Sequence, residues 1–222
     1  MEPHGLTGIA DAGAFLARLT RLDPGALVRL RSDPVAGGRA GLWARLPWSV
    51  LVTRGVAGAG PDDATVSAAE LLAELDRGGP ALPARRDAQW RWPLPPATGR
   101  VVETMPGADL RDVAAAAAGT LRSAESGGVG GRAVGQRALR DALLDHVAVV
   151  VTASDSRVEV TQRLVQAVVR MGFLGRSAGA ESDGVQVRVA GRWTGLSGPF
   201  GTAWSRSVDS LMLSPVQDQP NG

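Results

Sequence analysis

Residues Arg137 to Gly175, RALRDALLDHVAVVVTASDSRVEVTQRLVQAVVRMGFLG, carry the strongest periodic signal in the chain and restrict its fold more than any other stretch. Leu139, Leu143, Val147 and Val151 recur at helical spacing, and so do Val160, Leu164, Val165, Val168 and Met171. Ser154, Asp155 and Ser156 interrupt the run, and Gly172 stands where a second helix would close. The spacing therefore predicts two amphipathic helices joined by a polar connection. Each needs a partner surface to bury its apolar stripe.

Before this stretch the period changes. Phe15, Leu16, Leu19 and Leu22 share one helical face, and Asp23-Pro24-Gly25 ends that helix. Val28 and Leu30 then alternate with Leu27, Arg29 and Arg31, and GLWARLP and WSVLVTRGV follow across the turn residues Asp33-Pro34 and Gly37-Gly38. Three strands in an antiparallel meander are expected. Glu2 to Gly8 reads as loose chain, and Gly55 to Asp63 as a loop. Ser67 and Glu70 form a capping box ahead of LLAEL.

Gly78 to Pro96 holds five of the fourteen prolines and reads as an extended connection, with Trp90 and Trp92 alternating in one edge strand. Val101 and Val102 suggest another short strand, and Ala108 to Ser123 a helix on propensity alone, with five successive alanines from Ala114. After the helix pair, Val185, Val187 and Val189 form a strand that Gly191 turns back into RWTGL. The class expected is α+β: an N-terminal helix plus an antiparallel sheet with packed helices, followed by a helix-helix-hairpin C-terminal portion. The organisation is an α+β domain over 1–125, a Gly-rich linker over 126–135, a helix-helix-β-hairpin portion over 136–214, and a disordered tail over 215–222.

Composition removes whole reaction classes. All 24 basic side chains are Arg, and the chain has no Lys and no Cys. Without Lys there is no Walker A loop, no kinase lysine and no pyridoxal Schiff base. Without Cys there is no thiol nucleophile, disulfide, iron–sulfur cluster or zinc–cysteine site. No cofactor and no metal site is implied by what remains. The pI of 10.6 follows from the missing Lys, Tyr and Cys, because a surplus of two charges persists until Arg titrates. No apolar run approaches the roughly 20 residues of a membrane span, and Met1 to Ala10 does not read as a leader, so a cytoplasmic protein is expected.

Several motifs offer chemistry and each has a plainer reading. Gly175-Arg176-Ser177-Ala178-Gly179 matches G-x-S-x-G, but a nucleophile elbow needs a strand leading in and a helix leading out. Gly128, Gly130 and Gly131 precede a helix yet follow another helix, where a dinucleotide loop would follow a strand. Asp141, Asp145 and His146 lie close on one helix without further ligands for a metal, so an Arg137–Asp141 surface pair and a partly buried structural His146 are expected. Arg85-Arg86 beside Trp90 and Trp92 fits a stacking site, or tryptophans folded onto the sheet, and the second is favoured.

The order helix, helix, hairpin from Arg137 resembles a winged helix. On that reading Gln162, Arg163, Gln166 and Arg170 face a nucleic acid from the second helix, with Arg188 and Arg192 on the wing. Gly130 to Arg206 holds ten Arg against six acids, a modest surplus for phosphate neutralisation. The segments RALRDALLDHV, QRLVQAVVRMGFLG and GRW…FGTAW, with LPWSVLVTR more weakly, resemble an uncharacterised protein family of high-GC actinobacteria. That resemblance implies a lineage and carries no activity, cofactor or catalytic residue. The leading functional expectation is a non-enzymatic binding or assembly protein acting through protein contacts or self-association, with no membrane partner. A winged-helix DNA-binding regulator ranks second, and a hydrolase using Ser, His and Asp last.

Overall fold

A computed structural model describes residues 2–33, 37–127, 136–153, 156–175 and 184–206. Its framework is one eight-stranded antiparallel sheet with helices packed over one face. The first half of the chain supplies helix α1 (Ile9–Leu22), strands β1 (Leu27–Ser32), β2 (Arg39–Arg45), β3 (Leu51–Ala57) and β4 (Asp63–Ser67), and helix α2 (Ala68–Asp76). The second half supplies β5 (Arg100–Pro106), α3 (Gly107–Gly127), α4 (Gln136–Asp145), β6 (Val147–Ala153), β7 (Ser156–Thr161), α5 (Gln162–Arg170), β8 (Gly184–Ala190), β9 (Trp193–Gly198) and β10 (Gly201–Arg206). The strand order is β4-β1-β2-β3-β10-β9-β8-β5, with β6 and β7 a separate hairpin.

That order divides into two four-stranded sets meeting at one seam. Each set is an outer strand plus a three-stranded meander, and β3 pairs with β10 through Leu51↔Trp204, Val52↔Ala203 and Thr53↔Thr202. In both halves the outer strand runs directly into a helix, β4 into α2 and β5 into α3. In both, another helix leads into the meander: α1 before β1, and α5 before β8.

Period-two alternation places Val28, Leu30, Leu42, Ala44 and Val52 on the helix-covered face, continued in the second half by Val185, Val187, Leu196 and Ala203. Helix α1 closes over them with Ala12, Phe15, Leu16 and Leu19, and its Asp11 and Arg21 stand at the ends its dipole favours. Phe15 stacks on Phe173 with centroids 6.4 Å apart, so aromatic contact continues the core across the seam. Helix α5 buries Leu164, Val165, Ala167 and Val168. It ends at Gly172, whose φ of 69° lies in the left-handed region, and Phe173 N–H donates to the Val168 carbonyl at 2.9 Å.

The opposite face is covered in part by chain. Leu51, Ala190, Trp193 and Trp204 are buried there, and Trp43, Trp90, Trp92 and Leu94 pack against them. The Arg45 guanidinium lies 4.0 Å from the Trp92 ring centroid and that of Arg29 5.7 Å from Trp90. Gly195 is required here, because a Cβ would sit 2.6 Å from the Trp204 ring.

The α+β class stands, while the elements inside Arg137–Gly175 differ from the helix pair expected. Helix α4 stops at Asp145, and Val147–Ala153 and Ser156–Thr161 form a hairpin between the two helices. The run Val149-Val150-Val151 is β-branched, and Val158 and Val160 alternate with Arg157 and Glu159. Residues four apart satisfy a strand's period of two as well as a helix's, and the β-branched content decides the outcome. The winged-helix arrangement is therefore corrected. A hairpin separates the helices, and β8 and β9, the supposed wing, are inner strands of the eight-stranded sheet.

Three smaller expectations also change. Glu2 to Gly8 is held in place: His4 is buried, its Nδ1 accepts from Leu6 N–H at 3.0 Å, and its Nε2 lies 3.0 Å from the Gly79 carbonyl. Trp90 and Trp92 lie in irregular chain after a 3₁₀ turn at Asp87–Gln89 and form no strand. Strands β4 and β10 arise where none was expected. Ser126 and Gly127, the start of the expected linker over 126–135, close helix α3, while its remainder over 128–135 and residues 207–222 lie outside the described residues. Strand β5 and helix α3, on the N-terminal side of that linker, pack with β8 and α5 on its other side.

Candidate interaction surfaces

The six residues expected to face a nucleic acid are distributed by the fold into different roles. Gln162 is buried, 3% exposed, and its Nε2 has no hydrogen-bond acceptor among the described residues. Arg163 binds the turn before β3: its Nη1 donates to the Trp48 carbonyl at 2.9 Å, Trp48 Nε1 donates back to the Arg163 carbonyl at 3.1 Å, and Nη2 is ion-paired with Asp145. Gln166 donates to the Ala114 carbonyl of α3 at 3.3 Å and accepts from Arg170 Nε at 3.3 Å. Arg170 also lies over the Trp48 ring at 5.4 Å. Arg188 donates to the Gly99 carbonyl at 3.2 Å, and Arg192 is exposed in the turn between β8 and β9.

Helix α5 is thus an inner helix. Its polar stripe touches α3, α4 and the Pro47-Trp48 turn, because both flanks of a central helix in a helical layer meet neighbours. The contact pairs two of the segments quoted from the sequence, LPWSVLVTR and QRLVQAVVRMGFLG. Ser49, at φ 65°, completes the tight reversal that presents Trp48, and Arg45 Nη2 donates to its Oγ at 2.9 Å.

Two clefts flank this junction. The larger, about 900 Å³, opens between the β6–β7 side and the ends of β9 and β10, and is lined by Asp145, Glu159, Arg163, Arg192, Arg206 and Trp92 among others. Charges of both signs share it, and Asp145 and Arg163 already satisfy one another. His146 is exposed and is not among the residues lining either cleft, which departs from the partly buried role expected of it. Ser177 lies outside the described residues, as does the side chain of Arg137, so neither the elbow motif nor the Arg137–Asp141 pair is described. No group of three or more His, Asp or Glu with metal-holding geometry occurs among the described residues.

The smaller cleft, about 480 Å³, lies among α3, α4, α5 and the Pro47-Trp48 turn. Its walls are Leu22, Pro47, Trp48, Ala117, Leu143 and Leu144; Gln162 and Gln166 lie at its α5 side, and Arg122, Arg140 and Arg170 complete the lining, with no carboxylate among the described residues there.

The two outer strands of the sheet are finished differently. Strand β4 is sealed by the segment that follows α2. Thr65 N–H donates to Asp87 Oδ1 at 2.6 Å, Arg86 N–H donates to the Thr65 carbonyl at 2.7 Å, and Arg85 Nη2 donates to the Asp63 carbonyl. The hydrogen bond from Arg29 holds the Asp63 carboxyl below the usual carboxylate range, against a smaller opposing effect of burial. Arg85, with the Thr65 amide, does the same for Asp87. Arg85 also pairs with Glu2 and Arg86 with Glu70, so these arginines are occupied in structure while Trp90 and Trp92 fold onto the sheet. The capping box forms by half: Ser67 Oγ accepts from Glu70 N–H at 3.3 Å, and the Glu70 carboxylate turns to Arg86.

Strand β5 is the terminal strand at the other end, and among the described residues its ladder runs to β8 alone. Val101 is 45% exposed, and a register shift between Val101 and Glu103 bulges the strand.

Comparisons with known proteins bear on the fold. A family profile described as "Domain of unknown function (DUF8185)" matches residues 94–210, and one described as "Domain of unknown function (DUF8010)" matches residues 5–92. No match is found among curated proteins. Among solved structures, a DNA polymerase sliding clamp from Pseudomonas aeruginosa with ligand aligns at TM-score 0.57 and 13% identity, covering 100% of this chain and 69% of that one. A DNA polymerase III subunit beta from the same organism aligns at TM-score 0.55 and 13% identity, over 96% of this chain and 67% of that one. The beta subunit from Thermotoga maritima aligns at 0.51 and 12% identity, over 93% and 64%. At such identities the likeness is one of fold, and the fold is sliding-clamp-like.

Proposed function

The chain belongs to the family described as a domain of unknown function (DUF8185), and from that membership and a sliding-clamp-like fold we propose a non-enzymatic assembly protein that acts through protein contacts, self-association first among them. The observation that carries this reading is architectural. The likeness to DNA polymerase sliding clamps extends over the whole chain and is not confined to one motif. The family profile names no activity to set against it.

The sheet offers a place for such a contact. One outer strand is sealed by Arg85, Arg86 and Asp87, and the other, β5, carries Val101 in solvent. Unsealed edges are where a second chain adds. The bulge after Val101 and Pro106 at the end of β5 keep any new ladder short. A contact here draws on Val101 and the flanking Arg100 and Glu103 more than on an extended run of backbone bonds.

The test is sedimentation of the purified full chain over a wide concentration range, beside Val101→Lys. The reading expects a mass above that of one chain which falls on dilution, and a shift of about tenfold toward monomer in the variant, as one lost apolar anchor would give. A chain that is monomeric throughout would overturn the self-association reading. So would tight, steeply salt-dependent binding to random duplex DNA by a monomer, lost when Arg188 and Arg192 become Ala, which would replace it with a nucleic-acid function.

A further inference from the structure

We propose that the cleft among α3, α4, α5 and the Pro47-Trp48 turn binds an amphipathic carboxylate, its apolar body between the helices and its charged head toward Arg140 and Arg170. The inference goes beyond the assembly reading and does not depend on it, since the cleft and the β5 edge share no residue.

Three independent observations point to this ligand. The first is the lining itself. Leu22, Leu143, Leu144, Ala117, Ala118 and Trp48 give an open cleft of about 480 Å³ an apolar lining, within the size range of small-molecule sites. The second is charge: Arg140 and Arg170 line the cleft, and no Asp or Glu is among its described lining residues. Arg170 is oriented by Trp48 and by Gln166, so one cation is held in place before any ligand arrives.

The third is Gln162. It is 3% exposed, and its Nε2 has no acceptor among the described residues. A buried amide donor without an acceptor costs about as much as a lost hydrogen bond and is uncommon in folded proteins. The terminal torsion of a Gln side chain is broad and roughly two-fold, so rotation about it turns the amide toward the cleft it lines. An acceptor oxygen arriving there satisfies it. A carboxylate supplies that oxygen and the counter-charge for Arg140 and Arg170 together, whereas a phosphodiester chain has no use for six apolar wall residues.

Isothermal titration of the full chain with octanoate and decanoate, each below its micellar concentration, tests the proposal. Octanol, inorganic phosphate and a duplex oligonucleotide serve as contrasts. One molecule should bind per chain, and each added buried methylene should tighten binding about fourfold. Octanol should bind about tenfold more weakly than octanoate, and phosphate not at all. Replacing both Arg140 and Arg170 with Ala should weaken decanoate about tenfold with little change in melting temperature.

Gln162→Leu separates a ligand-facing amide from a packing residue. It should weaken decanoate severalfold while raising the melting temperature of the unliganded protein, because the orphaned donor is gone. If that variant folds poorly, the double Arg variant still decides. Absence of binding at millimolar octanoate and decanoate, equal affinity for octanol, or indifference to the double Arg variant would each overturn the proposal. Displacement of decanoate by the duplex would overturn it in favour of a polyanion surface.

Discussion

In the N-terminal half the outer strand, β4, follows its meander and is sealed by Arg85, Arg86 and Asp87; in the C-terminal half the outer strand, β5, precedes its meander and ends the sheet with Val101 in solvent. Otherwise the halves contain the same parts. Each has an outer strand that runs into a helix, and a helix that runs into three antiparallel strands. The order of these parts along the chain differs, and their packing does not. Packing depends on which faces are apolar, and connectivity only has to supply a chain long enough to reach. What does differ is the finish of the edge, and edge finish decides where a sheet accepts another chain. The C-terminal half adds α4 and the β6–β7 hairpin between α3 and α5.

The sharpest way to break the comparison is to cut what ties the halves together. Phe173 stacks on Phe15 and is fully buried. Phe173→Ala should cost about 3–5 kcal/mol, read by chemical denaturation. If the halves form one cooperative unit, the single transition moves as a whole. Two transitions, with only the C-terminal one displaced, would show that the seam couples them weakly.

A smaller effect tests the sealed edge. Asp87→Ala leaves the buried Thr65 amide without its acceptor and should cost about 1–2 kcal/mol, measured by the same method. It should also give the N-terminal half an exposed edge, seen as concentration-dependent association that the parent chain lacks on this side. No loss of stability would mean that water replaces the carboxylate without cost.

Acid should act on the sealed edge before it acts on the interior of the sheet. Asp63 and Asp87 titrate below the usual carboxylate range in the folded chain, so each contributes stability that is fully present above that range. The contribution is lost as the pH falls from the ordinary carboxylate value through the lower folded-state value. Amide exchange at Thr65 should therefore accelerate, beyond the intrinsic trend, before exchange at Val187 in the centre of β8. Equal protection of both sites across that range would remove the two carboxylates from the account of the seal. Because both lie at a solvated surface, the effect is the smallest of the three.

Much of the first half was legible in the sequence, because its apolar periods are unmixed. Phe15, Leu16 and Leu19 fit only a helix, Val28 and Leu30 only a strand, and Ser67 caps α2 as its spacing predicts. Strand β4 escaped notice because Asp63–Ser67 is short and its alternation is masked by burial on both faces, Thr65 included. Arg137–Gly175 was misread for a different reason. Val147, Val151 and Val160 stand at distances that serve either period, and only the β-branched cluster around Val150 separates them. The surfaces were less legible still. Gln162, Arg163 and Gln166 look like a wet helix face in isolation, and only the packing of α3, α4 and Trp48 around α5 shows that Gln162 is buried and that Arg163 and Gln166 are bonded to neighbours.

The seam has a consequence for the order in which this protein forms. Strand β10 is the last described strand to emerge during synthesis, and it is the one that joins Leu51–Thr53, across roughly 150 residues of chain, a separation that slows folding. Until it arrives, the nascent N-terminal half presents one edge of β3, the side away from β2, as a ladder of unmet donors and acceptors. The rate-limiting event should then be the capture of that waiting ladder by its own late partner, in competition with capture by the ladder of a neighbouring nascent chain.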